Sequence, residues 1–447
     1  MEVVRPMRPG ASLDPTGDPL TFGQEQLRLV EQMSDPETLV YALRLPLRDG
    51  VAPEPVLAAL TRIVRARDAL RMSVLPGEPE TQLTYPTRPV QQLPAGADPR
   101  VYGAIGPSTT AGRIPCFFAI DEGSDPPRLI LHLHHVFVDG WSASLIARDF
   151  YRYHAALRAG RPVPSGPPAG SFGAYARASR QAMTGERLAG HLAFWAEELR
   201  DAEPLRLPYP VRPWQPGLRT GRFPALVFEV DGCTMAGLDA RSRPLGGHGS
   251  AAILAGFASA VGAVTGQRDL LLQTPLTDRG SASRRNLVGS LVNLCVLRMR
   301  MPAHPDPEAT IRSAAGVLRR AMRQQSGPFQ RDGRHTESGR VLNLSPKVTI
   351  AFNQDIGSRL QLGVVLRSAP ADAERDGPCL VWDAESGCID DLHLEVLASP
   401  PDLPLRFKIT YRADLWHRDG IRALGTDLAE RLLRMSTDAA TVGGVRR

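Results

Sequence analysis

The chain predicts an α+β fold built as two similar lobes, and three observations lead there. At 447 residues it is too long for one ordinary domain. Strand-like and helix-like stretches mix in both halves, without the regular βαβ alternation of a parallel sheet. Near the middle, RPVPSGPPAGS at 161–171 is the clearest linker signal, and the lobe boundary is placed there. The expected organisation is a loose Pro- and Gly-rich arm over 1–19, an N-terminal lobe over 20–171 and a C-terminal lobe over 172–447.

Each element has its own signature. Pro53 and Pro55 punctuate a helix start, and Val56, Leu60, Ile63, Val64 and Leu70 then recur at helical spacing. Residues 128–135 (RLILHLHH) read as a buried strand. Ser142 offers an N-cap for a helix through Leu145, Ile146 and Phe150 to Gly160. Beyond the linker, 173–200 is helical and 201–218 is Pro-rich and irregular. A small-residue helix follows at 249–265, a strand at 269–274, and a helix at 307–325 marked by Ile311, Val317, Leu318 and Met322. Strands are expected near 346–353, 391–398 and 404–411, and a closing helix carries Ile421, Leu424, Leu428 and Leu432 on one face.

Composition narrows the function. Hydrophobic residues make up 43% and charged residues 22%, as in a soluble globular protein. No stretch reaches the ~18 uncharged apolar residues that span a bilayer. The opening residues lack the apolar core of a secretory signal and carry acidic side chains, so a cytoplasmic location is expected. Cys116, Cys233, Cys295, Cys379 and Cys388 form no C-x-x-C pair. They read as small buried thiols, not as a disulfide framework or a zinc site. The net charge of +6 is nearly all arginine, scattered among Asp and Glu, which argues against a nucleic-acid partner. A mildly basic face would suit an acidic protein partner.

The densest cluster of reactive types is LHLHHVFVDGWS at 131–142. Strand alternation puts His132 and His134 on one face and His135 on the other. A strand that ends at His135 and turns through Val136–Gly140 can expose one imidazole at its tip. Histidine titrates near neutrality and suits proton transfer from an attacking amine or hydroxyl. Asp139 can lock the turn by pairing with a cation, and Gly140 allows close approach of a ligand. The cluster lacks the i, i+4 histidine pair of a zinc protease and has no evident third ligand, so no metal is expected.

His134-His135-Val136-Phe137-Val138-Asp139-Gly140 resembles the HHxxxDG signature of nonribosomal peptide synthetase condensation domains, within the chloramphenicol-acetyltransferase-like superfamily. Leu20-Thr21 with Gln24 and Leu27 resembles the family's opening motif, with Arg28 where a Trp is usual. Asp68-Ala69-Leu70-Arg71 is similar to the end of its RHExLR motif, with Ala66 and Arg67 replacing the first Arg and the His. Tyr153 to Gly160 with the Pro-rich link, and Phe194-Trp195 with Leu199 and Leu205-Arg206-Leu207-Pro208, resemble later motifs. So does Gly289-Ser290-Leu291-Val292-Asn293 with Arg298. Thr274-Pro275 and Arg279 resemble the segment that bridges the lobes, here near 274–293. The resemblance covers about 20–436, which implies a free-standing enzyme acting in trans.

The resemblance implies two acetyltransferase-like lobes in a V-shaped pseudo-dimer, with the active site in a tunnel between them. A donor carrier protein would bring an acyl thioester on phosphopantetheine, and no intrinsic cofactor is implied. The acceptor would be a second carrier or a free small nucleophile, giving an amide or an ester. His135 would take the nucleophile's proton, and His134 would support the turn. Asp139 would hold the loop, with Arg279 as its partner, and the Gly140 N–H would stand near the oxyanion. Trp141, Ser290 and Asn293 would face the tunnel, and a monomer could complete the site. The alternatives are an acyl-CoA- or polyketide-carrier-dependent acyltransferase and a non-catalytic recruitment module. Epimerisation would need a second acid/base such as Glu385, and heterocyclisation is disfavoured because that branch replaces both histidines.

Overall fold

The computed structural model describes residues 16–33, 39–47, 52–75, 77, 79–86, 90–92, 116–163, 170–213, 215, 223–302, 306–328, 347–352, 367–368, 379–382, 390–397 and 402–437. In the first half these form β1 (Thr16–Pro19), α1 (Phe22–Met33), β2 (Val40–Pro46), α2 (Pro53–Ala66), β3 (Met72–Leu75), β4 (Thr81–Thr84), β5 (Gln91–Gln92), β6 (Cys116–Asp121), β7 (Arg128–His134) and α3 (Gly140–Arg158). After the linker come α4 (Phe172–Ala182), α5 (Gly185–Glu198), β8 (Ala225–Thr234), α6 (Met235–Ser242), α7 (Gly249–Thr265), β9 (Asp269–Thr277), α8 (Ala282–Arg285), β10 (Val292–Arg300) and α9 (Pro307–Gln324). The remainder is β11 (Val348–Phe352), β12 (Arg367–Ser368), β13 (Cys379–Trp382), β14 (Leu392–Val396), β15 (Pro404–Tyr411) and α10 (Arg418–Ser436). Helices and mixed sheets in both halves make the fold α+β, as the sequence predicts.

Two six-stranded sheets organise the molecule, with orders β12-β13-β2-β7-β6-β5 and β10-β9-β11-β14-β15-β8; a small sheet β1-β4-β3 stands beside them. In β7 the leucines Leu129, Leu131 and Leu133 alternate inward and meet Leu43 and Leu45 of β2, with Ile63 of α2 and Phe150 of α3 closing the core. The other core gathers around α7, which is apolar on nearly every side and is buried accordingly among β9, β10, α9 and the Ile421–Leu432 stripe of α10. Each leucine fully buried this way stabilises the fold by about 1.5–3 kcal/mol. Cys233 and Cys295 lie in this second core, where burial pushes their thiols up to about 11 and about 12. Cys116 and Cys379 lie on strands, and Cys388 falls outside the described residues.

Several expectations need correction. Thr16–Pro19 pairs antiparallel with Thr81–Thr84, so the loose arm can extend no further than residue 15; residues 1–15 lie outside the described set. The helical stretch at 173–200 is two helices that break at Met183-Thr184, with Gly185 at φ +54. The boundary at 161–171, of which 164–169 are outside the described residues, separates the elements in chain order but not the two cores. Strand β13 pairs with β2, which adds later chain to the first sheet, and Phe172, Leu287, Val288 and Leu291 join the first core.

The halves also meet where α1 crosses β10. The Leu294 N–H donates to Gln26 Oε1 at 3.1 Å. Gly23 approaches so closely that a Cβ there would stand 1.9 Å from the Val292 carbonyl oxygen. That neighbour is backbone and cannot swing away. Gly23→Ala is therefore expected to destabilise the protein by about 1–3 kcal/mol, read as a lower thermal midpoint. An unchanged midpoint would mean that the two elements are not held in contact.

Candidate active site

The strand β7 ends at His134, one residue before the expected end, and the chain turns through His135–Phe137 into α3. The His135 N–H donates to Leu39 O at 2.7 Å, anchoring the turn to the start of β2. The two imidazoles meet different partners. His134 is buried. The Val136 N–H donates to its Nδ1 at 3.3 Å, and its Nε2 lies 3.3 Å from Glu31 Oε1 on α1.

His135 keeps a partial opening to solvent. Its Nδ1 lies 3.1 Å from the Val138 carbonyl oxygen. A carbonyl only accepts, so Nδ1 carries the proton and Nε2 holds the basic lone pair. Burial pushes the His135 pKa below its ordinary value, against the opposing pull of the Asp139 charge and the Val138 carbonyl. The imidazole is therefore neutral at pH 7 and suited to accept a proton. Tyr41 packs edge-on against it, ring centroids 5.9 Å apart, and its hydroxyl also donates to Val138 O.

The loop is fixed by Asp139. This residue, not Ser142, is the N-cap of α3: the Ser142 N–H donates to Asp139 Oδ1 at 2.8 Å. The shift of cap moves the helix start back to Gly140. As the first helical residue, Gly140 has an N–H without an intrahelical acceptor, as helix geometry dictates. Arg279 is brought to Asp139 as expected, its Nη2 lying 2.8 and 2.9 Å from the two carboxylate oxygens, with both side chains almost completely buried. Arg279 also donates to the carbonyls of Arg284 at 2.9 Å, Leu287 at 2.7 Å and Gly289 at 3.2 Å. The Leu291 N–H donates to Asp139 Oδ2 at 3.1 Å, and the Ser142 hydroxyl donates to Gly289 O at 2.7 Å. One buried ion pair thus ties the histidine loop to the bridging segment.

The remaining expected site residues fall as follows. Trp141 lies over the Arg279 guanidinium at 5.4 Å, and its indole N–H donates to Arg285 O at 2.8 Å, so it packs the loop against the bridge. Asn293 donates from Nδ2 to the carbonyls of Gln325 at 2.7 Å and Gly327 at 2.9 Å, holding the turn after α9. Ser290 is completely buried, with no hydrogen-bond partner for its hydroxyl among the described residues. Among the described residues, cavities of about 450 and 300 Å³ lie along α4 and α5, sharing Met183, Arg187 and Ser326; neither is lined by His135, Ser290 or Asn293. Glu385 lies outside the described residues. No group of three or more metal-ligating side chains stands together among the described residues, and no single described helix is long and apolar enough to cross a membrane.

Two departures from the family pattern acquire partners here. Arg67 pairs with buried Asp149 at 2.6 Å and donates to Asn286 O at 2.8 Å, tying α3 to the bridge. Asp68 beside it accepts the Phe172 N–H at 3.0 Å and the Ser171 hydroxyl at 2.8 Å, seating the start of α4. Arg28 joins Glu31 and Glu80. Sequence reasoning missed Tyr41 and Glu31. Gln24, Arg28 and Glu31, spaced four and three apart on α1, form a polar stripe that periodicity alone could have exposed.

Tyr41→Phe removes a donor to Val138 O and keeps the ring against His135. It is expected to cost about 0.5–1.5 kcal/mol of stability and to lower turnover only modestly. A loss of turnover comparable to that of a His135 variant would instead give the phenol a chemical role.

A histidine where β7 turns into α3 is thus held by a buried Asp139–Arg279 pair that reaches from the bridging segment. Residues 116–441, nearly three quarters of the chain, match the family described as Condensation domain, and the chain belongs to that family. Condensation domains are acyltransferase-type enzymes that form amide bonds in nonribosomal peptide synthesis. Among relatives, chondramide synthase of Chondromyces crocatus is 24% identical over 71% of this chain, which spans 8% of that protein. Phosphinothricin tripeptide synthetase PhsB of Streptomyces viridochromogenes is 26% identical over 92% of this chain, which spans 35% of it. The first condensation domain of the calcium-dependent antibiotic synthetase, solved with a substrate analogue, shares the fold. It superposes with a TM-score of 0.70 at 17% identity, covering 97% of this chain and all of that one.

Proposed function

We propose that this chain joins an acyl or aminoacyl thioester, carried on the phosphopantetheine arm of a donor carrier protein, to an amine acceptor. The acceptor is held on a second carrier or arrives as a free small molecule. The observation that carries the reading is His135: Nδ1 is committed to the Val138 carbonyl and the ring is kept neutral, which makes Nε2 a base at the turn of the HHxxxDG loop. The acceptor nitrogen attacks the thioester carbonyl and its proton passes to Nε2. The C–S bond then breaks, and the phosphopantetheine sulfur leaves and is protonated. Gly140, at the first position of α3, turns its N–H toward the developing oxyanion, where a donor stabilises the transition state most. Asp139 and Arg279 position the loop and take no proton. An alcohol acceptor would give an ester by the same steps. The same reading places the reaction in the cytoplasm, on a monomer.

Intact-mass measurement tests this directly. The protein is incubated with acyl-loaded carriers and a panel of amines and alcohols. The expected result is unloading of the carrier together with a new amide or ester, lost in His135→Ala. Consumption of an acyl-CoA in preference to a loaded carrier would replace the carrier reading. Carrier binding without acyl transfer would point to a recruitment module.

A further inference from the structure

The two cavities beside α4 and α5 play no part in the reaction as described, and their charge is one-sided. The smaller, about 300 Å³, is lined by Arg187 of α5 and Arg323 of α9 and by no carboxylate. The larger, about 450 Å³, shares Met183, Arg187 and Ser326 with it and runs along α4 to the bridging segment. Its single acid, Asp278, is already paired with Arg284 and accepts the Tyr175 hydroxyl at 3.2 Å. Arg187 and Arg323 form no ion pair among the described residues. Arg323 gives its Nε–H to the Arg319 carbonyl at 3.3 Å, which leaves the two terminal nitrogens of its guanidinium for a ligand.

The backbone around the smaller cavity reinforces that sign. Helix α5 starts at Gly185, and Thr184 before it makes no side-chain cap, so the first N–H groups keep their partial positive charge at the Arg187 end. Glu186 in the same turn lines neither cavity. The end of α9 would bring the opposite charge through its last carbonyls, but several of these are engaged. Asn293 donates to the Gln325 and Gly327 carbonyls, and His191 meets the Pro328 carbonyl at 2.9 Å and Gln324 Oε1 at 2.7 Å. Ser326 therefore sits on a turn pinned from two sides. Gly327 packs so tightly there that a Cβ would stand 2.6 Å from the His191 ring.

Two guanidiniums without a counter-ion, an uncapped helix start and a fixed hydroxyl suit a group with several negatively charged oxygens. A carboxylate satisfies one such fork, whereas a phosphate can engage both. We propose that this cleft binds a phosphate ester, held between Arg187 and Arg323 with Ser326 beside it, while the uncharged remainder of the ligand lies in the larger cavity along α4. Ser179 and Ser283 in that cavity offer hydrogen bonds without charge. The ligand is then a small molecule with a phosphate at one end and a neutral polar chain behind it. A phosphopantetheine arm and a free phosphorylated metabolite share that chemistry. Only the first source rests on the carrier reading given above; the site itself does not.

Calorimetric titration of the full chain reads the site without any acyl transfer, with phosphopantetheine, pantetheine and glycerol phosphate as probes. At least one of the two phosphate esters should bind, and phosphopantetheine should bind at least about tenfold more tightly than pantetheine, the factor that one charge-assisted hydrogen bond supplies. Arg187→Gln and Arg323→Gln should each weaken phosphate binding about tenfold or more. Arg422→Gln removes the same charge from an exposed position on α10 and should change it by less than about twofold. Glycerol phosphate binding as tightly as phosphopantetheine would support the site with a free phosphate as its source, and a clear preference for phosphopantetheine would support the arm. Equal affinity for phosphopantetheine and pantetheine, no binding of either phosphate ester, or equal losses in all three variants would overturn the proposal. Phosphate binding that persists while no carrier is unloaded would instead count against the carrier reading and leave the cleft in place.

Discussion

His135→Ala is expected to lower the rate of condensation by about 100- to 10,000-fold, the range over which a positioned general base accelerates proton transfer. The fold should survive, because the ring is partly open to solvent and its hydrogen bond to Val138 is worth about 1 kcal/mol. Loss of activity with an almost unchanged thermal midpoint is therefore the signature. The pH profile supplies a second measure. The pKa of His135 is lowered, so the basic form predominates at the ordinary value of 6.5 and is lost as pH falls through the lowered pKa. The acid limb of the wild-type rate should be centred below pH 6.5, and that limb should disappear from any residual activity of the variant. A limb centred above 6.5 would mean that burial does not govern this imidazole.

Arg279→Ala should be damaging in a different way. It leaves the Asp139 carboxylate buried with a lost counter-charge and strips the donor from the carbonyls of Arg284, Leu287 and Gly289. Removing one partner of such a pair costs about 3–5 kcal/mol. Much of the protein should therefore be lost to aggregation, or show a markedly lower denaturant midpoint, before any assay of chemistry. Asp139→Ala should resemble it, because Ser142 and Leu291 then lose their acceptor. The test is the double variant. If the two side chains act as one pair, removing both costs clearly less than the sum of the single losses. Strict additivity would show that Arg279 acts through the bridge carbonyls alone.

The sequence shows the site more clearly than the fold around it. The HHxxxDG turn and the pairing of Asp139 with Arg279 can be read from charge and motif, and the strand's end at the two histidines from its pattern. Helices with long apolar stripes, such as α9 and α10, are equally plain. Other features depend on contacts between distant segments. Nothing local in β13 says that it will pair with Tyr41–Arg44, more than three hundred residues earlier. Ser142 looks like a cap because serine commonly caps helices, yet Asp139 three residues earlier captures its N–H, and the serine hydroxyl turns to Gly289 instead. Asn293 sits in a motif that suggests a tunnel wall, while its amide is held by two carbonyls beyond α9. Arg28 looks like a blemish in a family pattern until Glu31 and Glu80 are seen around it.

The strand that crosses from the second half into the first sheet bears on how the enzyme can be rebuilt. A protein cut within 164–169 should not come apart. One fragment would still be threaded into the other through β13 on β2, and Phe172 and Leu287 would remain in the first core. Hybrids that trade one half for a relative's would break a shared sheet, whereas exchange of the whole span from β1 to α10 would keep every crossing strand with its native neighbour. For recombination, then, the smallest transferable piece is the entire pair of lobes, and the linker between them is a hinge in the chain order only.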